Sequence, residues 1–137
     1  MGDPDTWHKK ETYKGLIALS QSALRGAAIV NGGAAVALLA FIGRIYSGDI
    51  SILFNPFYAI LYPMLLFIGG LLAAGLASGA AYVAQFSLYN ETMGFKAMLP
   101  RIIREHKDWI KAGVGLFVVS YLCFAFGAAL AAYQLAL

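Results

Sequence analysis

Between Asp49 and Glu91 the chain carries no charged side chain, and most of residues 50–90 are apolar. A run of about forty such residues far exceeds an ordinary soluble core helix and is of membrane length. Two further apolar stretches lie on either side of it. Residues 26–46 are flanked by Arg25 and hold Arg44 near their end; residues 113–135 follow Lys111. Each holds about twenty residues, enough to cross a hydrocarbon core of about 30 Å as a helix. The pattern predicts an all-α membrane protein with three transmembrane helices, forming one membrane domain over residues 1–137.

The central run admits two divisions. Two spans would need a polar turn, and Gly69-Gly70 is flanked by leucine, isoleucine and phenylalanine. Non-helical backbone facing lipid is not tolerated at that depth. The preferred division is an interfacial lead-in over 50–61 and a single span over 62–89. Asn55-Pro56 then acts as a cap with a first-turn proline, and Pro63 marks a kink or a restart. A single kinked helix from Pro56 to Tyr89 is the alternative.

The polar segments also follow a helical period. Over residues 4–25, Tyr13, Leu16, Ile17, Ser20 and Leu24 form one modestly apolar face, predicting an N-terminal amphipathic helix. Over residues 98–111, Leu99, Ile102, Ile103 and Ile110 form an apolar face opposite Arg101, Arg104, Lys107 and Lys111. This predicts a basic amphipathic connector helix lying on the membrane surface. Trp109 then sits where the chain re-enters the bilayer.

Composition agrees with this reading. The chain is 61% hydrophobic and 12% charged, against roughly 25% charged in soluble domains. The net charge of +3 is divided between two segments, which suits anionic lipid headgroups and not nucleic acid. Lys9, Lys10, Lys14 and Arg25 precede the first span; Lys96, Arg101, Arg104, Lys107 and Lys111 follow the second. Three spans put both basic segments on one side, which predicts N-terminus inside and C-terminus outside. Residues 1–14 are polar and do not read as a secretory signal. The single cysteine, Cys123, excludes an intrachain disulfide.

Reactive chemistry has no sequence signature here. No ionisable group lies well inside any span, where catalytic and transport sites of membrane proteins place them. No metal-spaced cluster and no phosphate loop is present. The sequence therefore predicts no catalytic residue, cofactor or metal.

Small residues at helical spacing remain. Gly70, Ala74, Ala77, Ala81 and Ala84 form a seam on the second span, and Gly75 with Gly79 forms a GxxxG on another face. Gly33, Ala37 and Ala40 repeat the theme in the first span, as do Gly127, Ala128 and Ala131 in the third. Asn31-Gly32-Gly33 is the most specific local feature. A buried amide needs a partner, and adjacent glycines would let another helix approach to supply one. Helix packing is the favoured role for Asn31; a pore-lining or ligand-contacting amide is the alternative.

The segment from Arg25 to Gly43, with its Asn31-Gly32-Gly33-Ala34 core, resembles the first span of small multi-pass bacterial inner-membrane proteins without an assigned activity. The resemblance implies a bacterial cytoplasmic membrane and no particular mechanism. The expected function is a non-catalytic membrane component, either an accessory subunit or a homo-oligomeric scaffold. The alternative is a holin-like or pore-forming effector, which small size and three spans allow.

Overall fold

Two prolines mark helix starts. Pro4 and Pro56 each stand at a first helical position, where a missing N–H costs nothing. The computed structural model describes residues 4–47, 56–93 and 106–135. They form three helices: α1 (Pro4–Ser47), α2 (Pro56–Thr92) and α3 (His106–Leu135). The described residues are all-helical but for Met93, whose N–H closes the last turn of α2 on Tyr89 O at 3.1 Å. All three helices are long and apolar enough to cross a membrane.

The elements run together where the sequence suggested breaks. The expected N-terminal helix (4–25) and first span (26–46) are one helix of 44 residues, because nothing near Arg25 interrupts the backbone hydrogen bonds. The lead-in and second span also merge from Pro56 onward, as in the single-helix alternative. Pro63 lies inside α2 with its ring fully buried. The absent N–H deprives one carbonyl of a donor, without ending the helix. Residues 50–55 lie outside the described residues. So does most of the expected connector: Arg101 and Arg104 are not described, while residues 106–111 continue without a break into the third span.

Packing follows a seven-residue period. On α2 the inward positions are Pro63, Phe67, Gly70, Ala74, Ala77, Ala81 and Ala84, spaced alternately by four and three; Ala81 is half-buried and the rest are buried. On α3 the matching positions include Gly113, Ser120 and Gly127, and on α1 Ala27, Asn31 and Ala34. This is the spacing of a left-handed coiled-coil seam. Helices α2 and α3 run antiparallel: Phe67 packs at Gly127, Gly70 meets Ser120, and Gly113 lies against Ala77 and Ala80. They share the largest interface, and α1 packs across both.

The seam is built from small residues because that is what lets backbones approach. A Cβ at Gly113 would stand 3.6 Å from the Ala77 carbonyl oxygen. Phe67 is the large exception. Its buried ring fills the space beside Gly127 and meets Phe124 at a tilt of 42°, with centroids 6.1 Å apart. Leucine, valine and isoleucine face outward: Leu65, Leu72, Leu76, Val114, Val118 and Leu122 are all exposed. Large apolar groups outside and alanine, glycine, serine and asparagine inside is the reverse of a water-soluble bundle. It suits a solvent as apolar as the side chains themselves.

Candidate functional site

Several exposed hydroxyls bond back to a carbonyl of their own helix. Ser20 donates to Leu16 O at 2.8 Å, Ser78 to Ala74 O at 3.0 Å and Thr92 to Leu88 O at 2.9 Å. Such back-bonding removes a hydroxyl from other chemistry. Asn31 behaves differently.

Asn31 is fully buried, and its Nδ2 faces three oxygens. It donates to Ala27 O on its own helix at 3.0 Å, and to Ser120 Oγ at 3.1 Å and Ser120 O at 3.2 Å on α3. The Ser120 hydroxyl in turn donates to Gly70 O on α2 at 2.7 Å. One chain of hydrogen bonds therefore runs from α1 through α3 to α2. Its short final link indicates a well-formed bond.

Gly70 makes this arrangement possible. A Cβ there would stand 2.6 Å from Asn31 Cγ and 2.9 Å from Nδ2, and would collide with Oδ1. Asn31 Oδ1 has no N–H or O–H partner. It rests against the Gly70 Cα, the arrangement of a weak Cα–H···O contact. The amide thus occupies the volume that any other residue at position 70 would claim.

The expected packing residues divide into two groups. Asn31, Gly70, Ala74 and Ala77 are buried together in the bundle, with Ala81 at its margin. Gly32, Gly33, Gly75 and Gly79 do not take part in close approach. A Cβ at Gly32 would reach only Leu71 Cδ1 at 4.0 Å, and at Gly33, Gly75 and Gly79 it would meet nothing within 4 Å. The reason is angular. Successive helical residues are turned by about 100°, so the face that buries Asn31 cannot also bury Gly33. The glycine that admits the amide belongs to the neighbouring helix.

Ser120 escaped the sequence reading. Its signal was present: it is the one serine or threonine in residues 113–135, midway between Gly113 and Gly127 at seven-residue steps. Two other buried polar oxygens lie nearer the helix ends. Ser87 Oγ and Gln134 Oε1 have no hydrogen-bond partner.

On α2 and α3 charge is confined to the ends, whereas on α1 it extends to Arg25 in the middle of the helix. His106 Nδ1 faces Glu91 Oε2 at 3.3 Å, joining the close of α2 to the beginning of α3. Lys107 and Lys111 are exposed on the first turns of α3. Among the described residues, no group of three metal-ligating side chains comes together. The buried polar and charged residues there are Asn31, Ser87 and Ser120. The central layer is neutral. It can fix helices in register and orient a donor, but it holds no group that could carry a charge. No family profile, curated protein or solved structure matches this chain.

Proposed function

We propose that this chain is a non-catalytic integral membrane protein that acts as an accessory subunit or homo-oligomeric scaffold. One observation carries the reading. The buried polar groups at the centre of the bundle are engaged in holding the three helices to each other, whereas two small-residue faces are open to the outside. These are Gly33–Ala37–Ala40 on α1 and Gly75–Gly79 on α2, all exposed. In lipid such faces favour close contact with another helix. The resemblance of the first span supports a bacterial cytoplasmic membrane, and the distribution of lysine and arginine supports N-terminus inside and C-terminus outside. Arg101, Arg104, Lys107 and Lys111 then meet anionic headgroups at the inner surface.

The test is purification from native membranes in mild detergent, followed by native electrophoresis and identification of co-migrating chains. The expected result is a complex of defined size that is lost in Gly33→Leu or Gly79→Leu. A bare monomer under several mild detergents would overturn the scaffold reading. Collapse of the membrane potential on induced expression would replace it with the holin-like one.

A further inference from the structure

We propose that the Asn31–Ser120–Gly70 layer lies at the bilayer mid-plane, so that the stacked Tyr82–Phe86 pair contacts lipid headgroups on the side of the α2–α3 connection. The inference rests on the membrane reading above and adds a depth to it.

Three features converge near the same plane. The uncharged part of α2, residues 56–90, is centred on residue 73, about 4.5 Å along the axis from Gly70. Lys111 is nine residues from Ser120, or about 14 Å along the axis, close to the half-thickness of about 15 Å of a hydrocarbon core. Arg25 is six residues from Asn31, about 9 Å. It is exposed, and side chains lean towards a helix N-terminus, which aims its guanidinium away from the layer. A long side chain can then reach the surface.

Aromatic residues mark the two boundaries. Tyr62 and Tyr82 lie eight and twelve residues from Gly70, about 12 Å and about 18 Å away in opposite directions. Both lean towards the start of α2, Tyr62 outward and Tyr82 inward. Their rings therefore approach the same depth on either side, where headgroups begin. Tyr62 is 56% exposed and Tyr82 70%. Tyr82 stacks on Phe86 with centroids 6.4 Å apart and an interplanar angle of 15°. A tyrosine with an apolar body and a polar tip belongs at that boundary. Beyond it α2 runs on for another ten residues to Thr92, clear of the hydrocarbon.

Nitroxide labels measure this depth directly. In a Cys123→Ala background, single labels at Tyr62→Cys, Leu72→Cys and Tyr82→Cys are placed in phosphatidylcholine–phosphatidylglycerol vesicles. Collision with oxygen is compared with collision with a water-soluble nickel chelate. The expected result is a several-fold higher oxygen-to-nickel ratio at position 72 than at either tyrosine position. An equal ratio at 72 and 82 would put Tyr82 in the hydrocarbon and overturn the placement. Low access of both reagents at 82 would show a protein cover there and overturn the headgroup contact. Loss of the protein from the vesicles in a carbonate wash would overturn the membrane reading itself.

Discussion

Gly70→Ala changes sign with its neighbour. A helix interior gains about 1 kcal/mol when glycine becomes alanine. At position 70, however, the added Cβ would stand 2.6 Å from Asn31 Cγ, and Asn31 is held by bonds to two helices. Overpacking of that kind costs about 1–3 kcal/mol, so the single substitution should destabilise by up to about 2 kcal/mol. In an Asn31→Ala background the obstruction is gone and the helix-propensity gain remains. Gly70→Ala should then stabilise by up to about 1 kcal/mol. The coupling between the two positions is therefore about 1–3 kcal/mol, large for two residues joined by no conventional hydrogen bond. The four proteins of this cycle are compared by reversible unfolding in mixed micelles. Additive behaviour, or stabilisation by Gly70→Ala in the presence of Asn31, would refute the assignment of Gly70 as the seat of the amide.

Other outcomes follow from the same layer and its surroundings. Ser120→Ala should cost about 0.6–2 kcal/mol and, combined with Asn31→Ala, should add less than the sum, since one hydrogen-bond chain is cut twice; additive losses in the unfolding assay would contradict a shared chain. Ala77→Leu, at a position only 1% exposed, should unfold the bundle, whereas Gly79→Leu, in open space, should leave thermal stability unchanged and alter only association. Equal melting shifts in the two would count against the inside–outside division. Reporter fusions after Gly48 and after Gly94 should fall on opposite sides of the membrane, outside and inside respectively; the same side for both would exclude three spans.

Much of this fold was legible in hydropathy alone, because length and apolarity are sufficient to count helices that can cross a bilayer. Continuity was less legible. Pro63 reads as a break in water-soluble sequences, yet α2 passes through it. The seam on α2 was readable from Gly70 to Ala84 since small residues recur there at the packing period. Asn31 was readable as a packing amide. Its partner was not, since a hydrogen bond spanning 89 residues of sequence leaves no local trace. The adjacent glycines misdirected the reading for the same reason: Gly32 and Gly33 are neighbours of Asn31 along the chain, while Gly70 is its neighbour in space.

The central claim is that Asn31 of α1 lies directly on Gly70 of α2 within one chain. A disulfide reports it most directly, because the geometry at Gly70 sets Cβ positions 31 and 70 within the range of about 3.5–4.5 Å that a disulfide spans. In a Cys123→Ala background, Asn31→Cys with Gly70→Cys is oxidised in native membranes by a lipid-soluble catalyst. Asn31→Cys with Gly69→Cys serves as the control, since position 69 has nothing within 4 Å. The account predicts rapid crosslinking within a single chain for the first pair and little for the second. Equal yields for the two pairs, or crosslinks only between chains, would contradict it.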